Sequence, residues 1–413
     1  MNNEINYDVI IIGAGAAGIM AAITAARDGK KVLLLEKLSK IASKLKATGG
    51  GRCNLTNTLN DDEFMAKFGR DGRFMQDALK HFNHKDLVIF LDELGVQTHV
   101  PDGFRIFPTS HSSQTILDAF EKELKKLGVT IVCNQRVQRI LFHANSIAGV
   151  KTQELTCKAK NVIIATGGMG YPTLGAEGDG YTLASEVGHK ITEISPAMMP
   201  LQTKEKWVAN CRADTIAKAH LKVALKKHKK LHAVGDLIFT KNGIRGPVVL
   251  DFAREITPLL QKYGEVPLLI NLTKGRNEQE IQHHIQHVYQ SNPKQTILEI
   301  ITTLLPKPLA QELLNLASIK GEENYKKIDG AKKAKLFSLL TWTPLTVTGH
   351  DGFKMAMITR GGVSLKEIDP KTMQSKKVKG LYFCGEVMNL DGPCGGYNLQ
   401  WSFASGYLAG KLL

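Results

Sequence analysis

Long hydrophobic runs are missing from this chain of 413 residues. A membrane-spanning helix takes about 20 consecutive apolar residues, and no stretch provides them, so no transmembrane helix and a cytoplasmic location are expected. The first apolar stretch, "VIIIGAGAAGIMAAITAA", is broken by glycines and follows an acidic rather than a basic start, so it does not read as a signal peptide. Cysteine is scarce. The six, at 53, 133, 157, 211, 384 and 394, show no CxxC spacing, which argues against a zinc site and a disulfide framework and leaves them as reduced thiols. His283, His284 and His287 share one helical stretch without a carboxylate or cysteine partner, so they read as a solvated face and no metal is expected. Internal repeats and low-complexity tracts are also lacking. Acidic residues are in deficit, 39 against 54 lysines and arginines, giving a net charge of +15. That balance points to a polyanionic partner such as RNA, or to a lysine-rich composition.

Otherwise the composition is that of a soluble globular protein long enough for two or three domains, with 43% hydrophobic and 23% charged residues. Near the start, "YDVIIIGAGAAGIMAAITAARDGKKVLLLEK" reads as strand, tight turn, helix and strand. Val9 to Ile12 and Val32 to Leu35 suit buried strands of one parallel sheet, with Gly29 where the helix should stop. Apolar spacing predicts helices over Asp77 to Gly95 and Ser113 to Leu127, followed by strands and hairpins that end in Val162 to Ala165. Two prolines in "ISPAMMPLQ" mark a boundary. Short β-like runs dominate from Leu201 to Leu250, and helical periodicity takes over from Asn277 to Leu340. Strands return at "LTVTGHDGF" and "KGLYFCGEV", before the helix "YNLQWSFASGYLAGKLL".

Gly13, Gly15 and Gly18 form a GxGxxG motif directly after a strand and at the opening of a helix. The first permits the tight turn, the second lets backbone approach a pyrophosphate, and the third permits close helix packing. Glu36 ends the second strand, where a carboxylate accepts from ribose hydroxyls and disfavours a 2′-phosphate, so FAD or NAD is expected over NADP as the tightly held nucleotide. The motif alone does not separate those two. The stretch "KLKATGGGRCNLTN" at Lys44 to Asn57 does. An extended FAD needs backbone close along its length. Gly49, Gly50 and Gly51 allow that, while Arg52 and Asn54 supply donors.

This stretch resembles the hallmark of the BaiN-like, or aminoacetone-oxidase, family of bacterial FAD-binding flavoproteins. "VIIATGGMGYP", "GDGYTLASEVGH", "GDLIFTKNGIRGPVVL", "PLTVTG", "GGVSLKEIDPKTMQSKKVKGLYFCGEV" and "GGYNLQWSFASGYLAG" extend the resemblance in order over nearly the whole chain. It implies an α/β fold: a glutathione-reductase-type FAD-binding Rossmann domain built from both chain ends (1–195 and 345–413). A β-barrel-like domain (196–275 and 335–344) and a helical domain (276–334) are inserted between them. It implies FAD contacts at Gly13, Gly15, Ala16, Gly18, Glu36, Lys37, Lys44, Gly51, Arg52, Cys53 and Asn54, and at Val137 through its backbone. Further contacts are implied at Thr166, Gly167, Gly385, Glu386, Asn398 and Leu399. The chain departs from the family pattern at Ala42 and Ser43, at Lys241, Asn242 and Arg245, and at Pro393 and Cys394. Lys241 and Arg245 add positive charge where relatives carry other residues, and are read as substrate or RNA contacts.

A second GxGxxG is absent, so NAD(P)H is expected as a transient reductant at the flavin. Hydride from a flavin reduces an activated carbon–carbon double bond when a proton is also supplied. Cys394 and Tyr397, in the loop expected beside the ring, are candidates for that proton; the competing readings are a small packing residue and a support for the helix start. Relatives of the family reduce steroid enones or make dihydrouridine in ribosomal RNA, and the charge favours the RNA. A flavin oxidase of a small amine and an RNA-binding protein with structural FAD are the other readings. The lysine run from Lys218 to Lys230 alternates as a half-exposed strand pair would, either a solvated face or a nucleic-acid-facing one.

Overall fold

In the computed structural model, which describes residues 6–413, the chain divides into two compact units. Residues 1–5, with the acidic start noted above, lie outside the described residues. One unit takes in the chain up to Pro196 and again Met357–Leu413; the other is Ala197–Ala356. The return at Met357 comes later than the expected 345. The strand Thr343–His350 is hydrogen bonded on one side to Leu201–Thr203 and on the other to Val266–Asn271, which makes it part of the second unit.

A seven-stranded sheet carries the first unit. Asn6–Ile12 pairs in parallel with Val32–Leu35 on one edge and Thr156–Ile164 on the other, and Thr130–Val132 extends the sheet beyond Val32–Leu35. The late strand Leu381–Phe383 joins in parallel against Val162, Ile163 and Ile164. Those three residues are therefore flanked by a strand from each end of the chain. They are wholly buried, as the unbroken apolar run of a parallel strand covered on both faces requires. Val137–His143 and Ser146–Thr152 add an antiparallel meander to Thr156–Ile164.

The first helix, Ala16–Arg27, packs on the last, Tyr397–Gly410. Their approach is too close for side chains. A Cβ on Gly406 would lie 2.3 Å from the Ala17 carbonyl oxygen, and one on Gly410 2.6 Å from that of Ala21. The two glycines, four apart, lie on one face of the last helix. The helix expected over 77–95 is two helices, Gln76–His81 and His84–Glu93. Asn83 breaks it: its side chain accepts from the amides of Lys85 and Asp86 while Asp86 returns a bond to the Asn83 amide, a capping box that starts a new helix.

The second unit is a closed barrel of six antiparallel strands. In barrel order these are Leu201–Thr203, Gly243–Arg245, His232–Phe239, Thr215–Val223, Val266–Asn271 and Thr343–His350. The β-rich reading of Leu201 to Leu250 ends early, because the helix Pro247–Tyr263 begins there, with proline at its first position after Gly246 at φ +106°. Helices Glu278–Ser291, Ile297–Ile301, Lys307–Leu316 and Gly330–Thr341 follow, and their apolar faces join the barrel lining in one hydrophobic cluster. Among the described residues no helix is long and apolar enough to cross a membrane.

Two expectations for stability follow from the first unit. Gly406→Val forces a side chain into the Ala17 carbonyl and should cost at least about 2 kcal/mol in urea unfolding. His189 is buried, bonded to the Ser375 hydroxyl at 2.7 Å and near Glu367 at 3.2 Å. Burial pulls it below the ordinary histidine value against the opposing attraction of Glu367. The unfolded chain therefore takes up this proton first. The contribution of His189 is complete above about pH 6.5 and is lost as the pH falls below it. Stability measured at about pH 7 and about pH 5.5 should drop in the parent and drop less in His189→Asn.

Candidate functional site

At the carboxyl ends of the parallel strands, Gly13 turns the chain at φ +98°. A Cβ there would lie 2.7 Å from the Ala165 carbonyl oxygen, and one on Gly18 would lie 1.9 Å from that of Gly13. Both positions are closed to any side chain. Gly15 differs: nothing lies within 4 Å of where its Cβ would be. The helix starting at Ala16 has no side-chain cap, so its first amides face that open space with the positive end of the helix dipole. A phosphate fits there.

Glu36 stands beside this turn. Its carboxylate accepts from the Ala14 and Leu38 amides, each at 2.9 Å, which fixes its orientation and leaves lone pairs for further donors. Lys37 is ion-paired with Glu177 at 2.8 Å and Asp179 at 2.9 Å, and Arg136 pairs with the same two acids. This quartet sits next to Val137, whose side chain is buried at the start of its strand. The Thr166 hydroxyl is buried without a hydrogen-bond partner, and Gly167, at φ +71°, has open space at its Cβ position. That hydroxyl lies against the start of the next helix, 2.1 Å from where a Cβ on Gly180 would be, and is a buried donor that a polar group could satisfy.

The glycine-rich stretch is wound tightly. Gly49, Gly50 and Gly51 have φ of +59°, +66° and +88°, and Cys53 follows at +60°. Burial pushes the Cys53 thiol up to about 11, which makes it a packing residue rather than a thiolate. Arg52 is exposed, its guanidinium 5.8 Å from the Phe107 ring centroid. Asn54, with its amide turned to satisfy both neighbours, donates to the Thr56 carbonyl and accepts from the Gly396 amide, each at 3.1 Å. Asn57 donates to the Gly395 carbonyl at 3.0 Å. The stretch is thereby fastened to the start of the last helix.

Lys44 and Glu386 meet at 2.8 Å across 342 residues of sequence. The other oxygen of Glu386 accepts from the Thr359 amide at 2.9 Å, and the Thr359 hydroxyl accepts from the Met169 amide at 2.7 Å. Gly385, at φ +76°, donates its amide to the Ser405 hydroxyl. Asn398 holds the preceding loop, accepting from the Gly392 amide and donating to the Gly392 and Pro393 carbonyls. Leu399 packs partly buried against the core. Cys394 is half-buried in that loop. Tyr397 is 4% exposed, with its ring against Phe64, Phe68 and Phe104. Lys241 and Arg245 are exposed in the second unit. Of the histidines considered for metal, His284 bonds the Thr303 hydroxyl at 2.8 Å.

Arg136, Glu177, Asp179 and Thr359 were not among the residues anticipated from sequence. Glu177 and Asp179 could have been found from their place between glycines in "GAEGDG"; Thr359 leaves no such signal, since its contribution is an amide and a hydroxyl directed at other segments.

The profile of the HI0933-like protein Rossmann domain matches residues 7–412. The chain belongs to this family of FAD-dependent oxidoreductases. It is 33% identical over 403 residues to the 3-dehydro-bile acid delta(4,6)-reductase of Clostridium scindens, covering 97% of each chain. It is 30% identical over 404 residues to the ribosomal RNA dihydrouridine synthase of Haemophilus influenzae, covering 96% of each. The Escherichia coli protein of the latter name is 29% identical over 403 residues, covering 97% of this chain and 96% of the other. Among solved structures, the 3-ketosteroid-delta4-(5alpha)-dehydrogenase of Rhodococcus jostii superposes with a TM-score of 0.53 at 16% identity, over 98% of this chain and 95% of that one. That likeness is one of fold. In this HI0933-like chain the open positions at Gly15 and Gly167 and the unpartnered Thr166 fit FAD, the cofactor of the family.

Glu386→Ala removes the acceptor of both the Lys44 ammonium and the Thr359 amide. The expected cost is about 1–3 kcal/mol in denaturant unfolding, with reduced FAD retention on purification. Glu386→Gln, which keeps an acceptor oxygen, should recover part of both.

Proposed function

We propose that the protein is an NAD(P)H-driven, FAD-dependent reductase of an activated carbon–carbon double bond, and that its substrate is uridine in ribosomal RNA. The observation that carries this reading is the near full-length similarity to two proteins named ribosomal RNA dihydrouridine synthase, in a chain of net charge +15. Most of that excess falls in Ala197–Ala356, the barrel unit with its inserted helices. Charge of that kind suits the row of phosphates of an RNA better than a bile acid, which offers a single carboxylate.

Bound FAD supplies the hydride. The chain's own residues have three tasks. The open helix start at Gly15 and Ala16 takes phosphate, and Glu36 takes ribose hydroxyls. Lys44, Glu386 and Thr359 tie together segments that would help hold the flavin. Uridine C5=C6 is conjugated with a carbonyl, so hydride at one carbon must be matched by a proton at the other. Of the two proton-donor candidates Cys394 is the more accessible, while the Tyr397 ring is part of an aromatic cluster, which favours Cys394. The similarity to the bile acid reductase favours a second reading, reduction of a small-molecule enone by the same residues.

The deciding experiment is nucleoside mass spectrometry of ribosomal RNA from cells with and without the protein. Loss of dihydrouridine on deletion, restored by re-expression, is the expected result; an unchanged content sinks the RNA reading and leaves the enone one. For Cys394→Ala, turnover should fall by about 10²-fold or more if the thiol gives the proton, with FAD content unchanged. Unaltered turnover would remove it from that role.

A further inference from the structure

The strands Thr215–Val223 and His232–Phe239 form a hairpin in the barrel, and residues 215–235 hold six lysines and three histidines with no aspartate or glutamate. Lys222 is occupied, its ammonium 3.6 Å from the Trp342 ring centroid. The tip, "KKHKK" at Lys226 to Lys230, is another matter. Lys226, Lys227, Lys229 and Lys230 are exposed, and among the described residues none of the four stands in an ion pair. Beside the tip lies Tyr263, the last residue of its helix and 40% exposed. His228 reaches the Tyr263 hydroxyl at 3.3 Å, and the Lys262 ammonium lies 5.3 Å from its ring centroid.

Four neighbouring ammonium groups repel one another, and among the described residues no carboxylate pairs with them; a row of phosphates would offset them. An aromatic ring at the edge of such a cluster offers an unstacked base a face to lie on, the combination by which single-stranded and looped RNA is held. A membrane surface is less well matched, since insertion calls for apolar side chains and the tip has none. We propose that this hairpin tip, together with Tyr263, is the surface that anchors the RNA substrate, with the lysines on phosphates and Tyr263 under a base. The proposal rests on the RNA reading above.

The test uses the full-length, FAD-loaded protein and ribosomal RNA extracted from cells that lack it. With Lys226→Gln, Lys227→Gln, Lys229→Gln and Lys230→Gln combined, RNA affinity should fall at least about tenfold. The slope of log affinity against log salt should shrink by up to about 3, at about 0.7 per phosphate contact. Tyr263→Ala should weaken binding by about tenfold with the salt slope unchanged. FAD content and reduction of the flavin by NAD(P)H should match the parent in both, which separates a lost anchor from a damaged enzyme. If the lysine variant binds RNA as the parent does while the parent makes dihydrouridine, the anchor is elsewhere and the RNA reading stands. If the parent neither binds the RNA nor makes dihydrouridine, that reading fails and the anchor with it. Binding to phosphatidylserine vesicles that the variant loses, without RNA binding by the parent, would assign the tip to a membrane surface and overturn the proposal.

Discussion

A carbonyl oxygen of the first helix, that of Ala17, occupies the place where a side chain on Gly406 of the last helix would have to be. That single close approach organises the first unit. It brings the two chain ends into one layer, and the sheet below repeats the arrangement, with Ile164 paired on one side with Ile12 and on the other with Phe383. Once the ends are joined in this way the intervening chain is free to leave at Pro196 and return at Met357 without breaking the nucleotide-binding unit. Lys44 and Glu386 can then meet as neighbours although the chain separates them by 342 residues.

The glycine-rich stretch follows from the same geometry. Three successive glycines and Cys53 in left-handed conformations coil the backbone so tightly that Asn54 and Asn57 arrive together at the last helix, one at the Gly396 amide and the other at the Gly395 carbonyl. A Cβ on Gly396 would lie 2.6 Å from Thr56, so this contact too is backbone on backbone. The N-cap residue of the last helix, Gly396, has no side chain, and its own amide is taken by Asn54 from a distant part of the sequence.

Much of this was legible in the residues. Gly13, Gly15 and Gly18 carry a spacing whose mechanics are local, and the structure separates them as the spacing implies: two positions closed by neighbouring backbone and one open. The buried parallel strands were visible as unbroken apolar runs. What escaped was non-local. The capping box at Asn83 outcompetes an apolar periodicity that runs straight through it. Thr343–His350 is a barrel strand because of partners far off in sequence, and no feature of its own composition distinguishes it from a strand of the first unit. Lys37 and Lys44 were marked as cofactor contacts by resemblance; that both are held by carboxylates could not be seen until Glu177, Asp179 and Glu386 were in place.

Those pairings set the charge around the nucleotide cradle apart from the charge of the hairpin tip. Around the nucleotide cradle Lys37, Arg136 and Lys44 are each matched to an acid, which leaves recognition of a nucleotide to directed groups such as the helix amides, Glu36 and the open glycine positions, if they hold it as proposed. At the hairpin tip the ammonium groups stand in no ion pair among the described residues, and the field there is long-range, undirected and sensitive to salt. Geometry selects a compact ligand, whereas charge density would select a polyanion. If the RNA reading holds, neutralised cations at the first and exposed lysines at the second would keep the polyanion from competing for the cradle, a physical reason for the excess of lysine to gather in the barrel unit.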